Sequence, residues 1–161
     1  MRKVLDIYFR FPVLLDYILA CGLVGAVHYY IKHHILTIPK DDVILDYASE
    51  TTTVLLTLAG FILTFLTVLI TFKTGSSENS NTPSLMETFC NSSLYKDTTR
   101  LLKDGIKSLI FVTLIIYVLR FVNILGIWVL YYWIIFSIIV LLLTILRALF
   151  ILDNILKFHT D

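Results

Sequence analysis

The chain has 161 residues, of which 58% are apolar and only 16% charged, and its mean hydropathy is +0.86. A soluble domain carries roughly 25% charged residues, and so short a chain has too little interior to hide the excess apolar surface, so its expected solvent is lipid. A net charge of +1 leaves no basic surface once the apolar segments are set aside, which excludes nucleic acid as a partner.

Residues 1–11 alternate charge with Val4, Leu5, Ile7, Tyr8, Phe9 and Phe11, a pattern for a short amphipathic helix lying along the inner membrane surface. The first apolar run, Pro12–Leu36, follows directly. Ile18-Leu-Ala-Cys21 has the look of a degraded lipoprotein cleavage box, but Asp16 interrupts the run and the sequence stays apolar through Ile31. A membrane-spanning helix is therefore expected rather than a cleaved signal. The second run is Thr52–Phe72, the third Ile106–Leu125 and the fourth Ile127–Leu152. Each reaches the ~20 residues that an α-helix needs to cross ~30 Å of hydrocarbon. Strand-like alternation is absent from all four, so helices are expected throughout. The third and fourth runs nearly touch, and a tight outer turn at Asn123–Gly126 makes them an antiparallel hairpin.

The fold class is thus an all-α integral membrane four-helix bundle, a single domain over residues 1–161. The basic residues orient it. With the N-terminus inside, Arg2, Lys3, Arg10, Lys73, Lys96, Arg100, Lys103, Lys107, Arg147 and Lys157 are cytoplasmic, whereas Lys32, Lys40 and Arg120 are outside. This bias predicts cytoplasmic N- and C-termini in the inner (plasma) membrane. Tyr29 and Tyr30 with Trp128, Tyr131, Tyr132 and Trp133 then form an aromatic belt at the outer interface.

Residues 73–105 are the largest piece outside the bilayer. A flexible stretch, Gly75–Asn81, precedes Ser84 and Glu87, which fit a capping box. One or two short cytoplasmic helices are expected to run from there into the third membrane helix. Phe89, Tyr95, Lys96 and Arg100 are candidate contacts for a cytoplasmic protein partner; the alternative is a connector resting on the membrane surface. No Walker loop, dinucleotide fingerprint or nucleophile elbow occurs, so no catalytic residue and no cofactor are assigned. Cys21 and Cys90 offer no CxxC or zinc spacing. His28, His33 and His34 do not share a helix face with further ligands, so no metal site is assigned either.

The second run carries the most informative pattern. Thr53, Thr57, Gly60, Thr64, Thr67 and Thr71 are separated by 4, 3, 4, 3 and 4 residues, which aligns them on one stripe of a helix. Small and hydroxylated residues allow close helix packing, and hydroxyls also suit a water-filled path. The stripe is therefore either a seam, within the chain or between copies in a homo-oligomer, or the lining of a pore. Weaker stripes are Cys21, Gly25, His28 and Lys32 on the first helix, Thr113, Tyr117 and Arg120 on the third, and Ser137, Thr144 and Arg147 on the fourth. All are expected to meet inside the bundle.

Among the intramembrane ionisable residues, Asp16 and Arg147 lie at matching depths, each about one turn from the cytoplasmic end of its helix, and are expected to pair. Arg120 lies near the depth of His28 in the outer leaflet, with Asp46 or Glu50 within reach.

The run Leu58-Ala-Gly-Phe-Ile-Leu-Thr-Phe-Leu-Thr-Val-Leu-Ile70, with the Phe89…Tyr95-Lys96 stretch that leads into the next helix, resembles the corresponding parts of small bacterial four-span proteins of uncharacterised function. Some of these look like the membrane subunits of anti-phage defence systems such as Kiwa. The likeness covers mainly residues 50–120 and contains no catalytic motif. It implies an oligomeric membrane sensor or effector with a cytoplasmic partner. The residues therefore leave two readings: a non-enzymatic oligomeric anchor or sensor subunit, and a small ion channel or pore-forming effector lined by the threonine stripe.

Overall fold

A computed structural model describes residues 12–75, 93–122 and 126–157. The expected inner-surface helix over 1–11, the capping box at Ser84 and Glu87, and Phe89 and Cys90 lie outside the described residues. Four helices follow in order: α1, Pro12–Lys32; α2, Asp41–Gly75; α3, Ser93–Val122; and α4, Ile127–Lys157.

Several helix limits differ from those read off the apolar runs, each for a local reason. α1 stops at Lys32 instead of Leu36 because the backbone reverses at His34, whose φ is +57°. The His34 N–H bonds the Ile31 carbonyl at 3.0 Å and the Ile35 N–H bonds the Tyr30 carbonyl at 3.1 Å. Together these two bonds make a Schellman cap that satisfies the last carbonyls. α2 starts at Asp41 rather than Thr52, so most of the expected acidic loop is helix. Asp41 and Asp42 occupy its first turn, where the positive end of the helix dipole favours carboxylates. α3 starts at Ser93 rather than Ile106, so the residues expected to run as a short helix into the third apolar run are one helix with it from Ser93 onward. α4 continues to Lys157, past Leu152. Gly126, with φ +78°, turns the chain into α4, and its carbonyl accepts the Val129 N–H at 3.2 Å.

Three of the helices contain stretches long and apolar enough to cross a membrane: Pro12–Lys32, Asp41–Thr71 and Ile127–Phe150. α3 is not among them. Asp104, Lys107 and Arg120 punctuate it, and the uncharged stretch between Lys107 and Arg120 is short. Large apolar side chains nevertheless face outward on every helix, from Ile18 and Leu23 on α1 to Phe61 (70% exposed) on α2, Phe121 (92%) on α3 and Leu146 on α4.

The core is built from stripes of roughly 3.5-residue period. On α2 it is Ala48, Thr52, Leu55, Ala59, Ile62, Leu66 and Leu69; on α3 it is Leu102, Ile106, Leu109, Val112 and Ile116. These two stripes make the most extensive helix pair. α4 buries Leu130, Ile134, Ser137, Val140, Thr144 and Arg147 and packs about equally on α1, α2 and α3. α1 lies on α4, makes a lighter contact with α3 and barely meets α2, its neighbour in sequence. It buries only Pro12, Asp16 and Ala20.

Candidate functional site

The polar groups separate into a buried set and an outward set. In the buried set, Arg147 Nη1 lies 3.0 Å from Asp16 Oδ2, and each side chain is 2% exposed. This contact joins α1 to α4 at one end of the bundle. Neither terminal nitrogen of Arg147 meets a well-angled acceptor among the described residues, so the contact is an electrostatic pair rather than a forked hydrogen bond. α3 makes room for the guanidinium at Gly105. A Cβ there would sit 3.5 Å from Arg147 Nη2 and 3.4 Å from Thr144 Cγ2.

Ser137 and Thr144 share the buried face of α4 with Arg147, as the sequence stripe implies. Their hydroxyls donate to the Trp133 and Val140 carbonyls, at 2.6 and 2.8 Å. The stripe expected on α3 divides instead: Thr113 is buried, whereas Tyr117 and Arg120 are exposed. On α1, Cys21, Gly25, His28 and Lys32 all face outward, so these residues do not meet inside the bundle. The buried row of α1 is Pro12, Asp16 and Ala20, four residues apart, and it lies on a different face.

The threonine stripe of α2 also faces away from the bundle. Thr53, Thr57, Gly60, Thr64, Thr67 and Thr71 are all exposed. The core stripe and the threonine stripe share the same period but are offset by one or two residues, which turns them about 150° apart on the helix. Among the described residues no helix packs over this stripe. Each threonine hydroxyl donates to the carbonyl four residues back, at 2.7–3.0 Å. With those donors committed, the stripe presents methyl groups, oxygen lone pairs and, at Gly60, bare backbone. A Cβ added at Gly60 would meet nothing within 4 Å.

At the other end of the bundle, His28 Nδ1 and the Tyr132 hydroxyl are 2.9 Å apart, tying α1 to α4 a second time. Arg120 forms no ion pair among the described residues, with Asp46, Glu50 or otherwise; the pairs found there are Asp16–Arg147 and Arg100–Asp104. Of the candidate partner contacts, Lys96 and Arg100 are exposed. Tyr95 is buried in the core cluster, with Lys73 Nζ 4.8 Å from its ring centroid. It belongs to the α2–α3 packing and is not available for docking.

Sequence reasoning missed three tertiary contacts, the His28–Tyr132 bond among them. Ser108 Oγ donates to the Tyr17 hydroxyl at 3.0 Å, linking α3 to α1. The Trp133 indole N–H donates to the Val112 carbonyl at 3.2 Å. Tyr17 lies on an apolar run next to Asp16, and that adjacency was the available signal: a hydroxyl in such a run needs a partner. Comparison with known protein families, curated proteins and solved structures found no match to this chain.

Proposed function

We propose that the protein is a non-enzymatic subunit of the inner (plasma) membrane that assembles with copies of itself through the threonine stripe of α2. In this reading it anchors or senses for a cytoplasmic partner. All four helices cross the bilayer, with both termini cytoplasmic. Three helices have the length and apolarity to cross. α3 is taken as the fourth crossing because it lies along α2 and α4, with Leu102, Ile106, Leu109, Val112 and Ile116 buried between them. The positive-inside bias supports the orientation.

The observation that carries the assembly reading is the outward stripe itself. Its hydroxyls already bond their own helix, and Gly60 leaves its backbone open, as in close helix–helix seams in membranes. Inside the bundle, by comparison, Asp16 and Arg147 face each other and the hydroxyls of Thr113, Ser137 and Thr144 bond their own helices, which supports a structural role for these groups. The cytoplasmic partner would meet the connection 76–92 and the exposed Lys96 and Arg100 at the start of α3. A role in anti-phage defence rests on the resemblance over residues 50–120 alone.

A channel is the second reading, because a stripe that faces away from its own bundle is also what a central pore between several copies requires. One experiment separates the two. The mass of the full chain in nanodiscs should correspond to more than one copy, and Gly60→Leu should reduce it to a single copy with unchanged helix content. A wild-type monomer would end the assembly reading. If Thr64→Val and Thr67→Val abolish an ion conductance while the copy number stays the same, the stripe lines a pore.

A further inference from the structure

α1 and α3 both rest on α4 and run in the same direction, but they touch each other only lightly. Between them lies a groove of about 1070 Å³. Its chemistry changes along its length, and the Tyr17–Ser108 hydrogen bond fixes the register of its two walls. On the N-terminal side of that bond α3 contributes Arg100, Asp104 and Lys107 opposite Pro12, Val13 and Leu14 of α1; on the C-terminal side the walls are Ile18, Cys21 and Phe111. The groove is thus largely apolar, with its charges confined to the α3 wall at one end.

The charge does not cancel within the groove. Arg100 Nε and Asp104 Oδ2 are 3.9 Å apart, a long contact between neighbouring turns that leaves Arg100 68% exposed. Lys107 forms no ion pair among the described residues. Two cations thus face one carboxylate. Arg100 and Lys107 stand two turns apart, about 10 Å along the helix, on the α3 wall of the groove.

We propose that this groove binds one anionic phospholipid, its phosphodiester between Arg100 and Lys107 and an acyl chain along Ile18, Cys21 and Phe111. The inference rests on the membrane reading given above. In that arrangement the basic end of the groove lies at the cytoplasmic leaflet, where anionic lipids collect and basic pockets between helices hold their headgroups. A monoanionic headgroup neutralises the surplus cation, and a zwitterionic one does not.

The test uses the full chain in nanodiscs of equal phosphatidylglycerol and phosphatidylcholine with identical acyl chains. Lipid that stays with the released protein is read by native mass spectrometry. Phosphatidylglycerol should be enriched about fivefold over the disc ratio. The double variant Arg100→Gln/Lys107→Gln should return the ratio to that of the disc, and Lys96→Gln, outside the groove, should leave it enriched. In a Cys90→Ser background, benzophenone maleimide on Cys21 should cross-link to phosphatidylglycerol. Equal retention of the two lipids, or a ratio unmoved by the double variant, overturns the proposal. So does a Cys21 cross-link that falls on a second copy or on residues 1–11. A chain that enters the discs and shows no lipid preference ends only the lipid proposal. A chain that stays soluble without any bilayer ends the membrane reading itself.

Discussion

Asp16 and Arg147 are both 2% exposed and 3.0 Å apart, so each offsets the cost of burying the other's charge inside the bundle. Removing one partner leaves an uncompensated buried charge, a loss of about 3–5 kcal/mol. Arg147→Met is accordingly expected to lower the midpoint of thermal unfolding in detergent steeply. Asp16→Leu combined with Arg147→Met should recover most of that loss, and a double variant as unstable as Arg147→Met alone would rule out the pair as the source. The Tyr17–Ser108 bond is a lighter element. Ser108→Ala should cost only about 0.6 kcal/mol, the usual size of a hydrogen bond between membrane helices. Gly126 carries a purely backbone constraint. With φ +78° and nothing within 4 Å of an added Cβ, Gly126→Ala should cost about 1 kcal/mol from conformation alone. The ion pair was legible in the sequence because two charges at matched depth in apolar runs have few ways to be satisfied. The partners of Tyr17 and His28 were not, since both depend on which helices become neighbours in space.

At the scale of the element, α2 carries two stripes of one period that meet different surroundings. The core stripe faces α3, so Leu55→Ala, at a fully buried position, should destabilise the bundle by about 2 kcal/mol. That value is at the low end for such a truncation, because in lipid the lost methyls forfeit packing but little transfer energy. Gly60→Leu on the outward stripe should leave the melting midpoint of a single copy unmoved and act only where copies meet. If Gly60→Leu unfolds the isolated chain, the stripe is packed within the protomer after all. Periodicity revealed both stripes but not which one faces inward. Thr52, Ala48 and Ala59 are as small as the members of the outward row, and only the packing of α2 on α3 distinguishes them. Helix limits were misread wherever a helix leaves the apolar zone. Asp41, Asp42 and Glu50 end a hydrophobic run without ending a helix, because a helix in water needs caps and dipole-matched charges rather than apolar residues.

For the whole molecule, the proposed crossing pattern puts Lys40 outside and Lys96 inside. In a chain with Cys21→Ser and Cys90→Ser, an impermeant maleimide should label Lys40→Cys on intact cells and Lys96→Cys only after permeabilisation. Equal labelling of the two would rule out an odd number of crossings between them.

The central place of α4 sets conditions on how the chain is made. α1 is synthesised before α4, its main neighbour, and Arg147 follows Asp16 by more than a hundred residues. At usual synthesis speeds that interval is roughly ten seconds, during which the α1 carboxylate waits for the Arg147 guanidinium. A nascent chain stopped before α4 would carry Asp16 without Arg147 on a helix that lacks its main packing surface, a state open to membrane proteases and chaperones. The same ion pair that closes the finished bundle would therefore also report that translation had been completed.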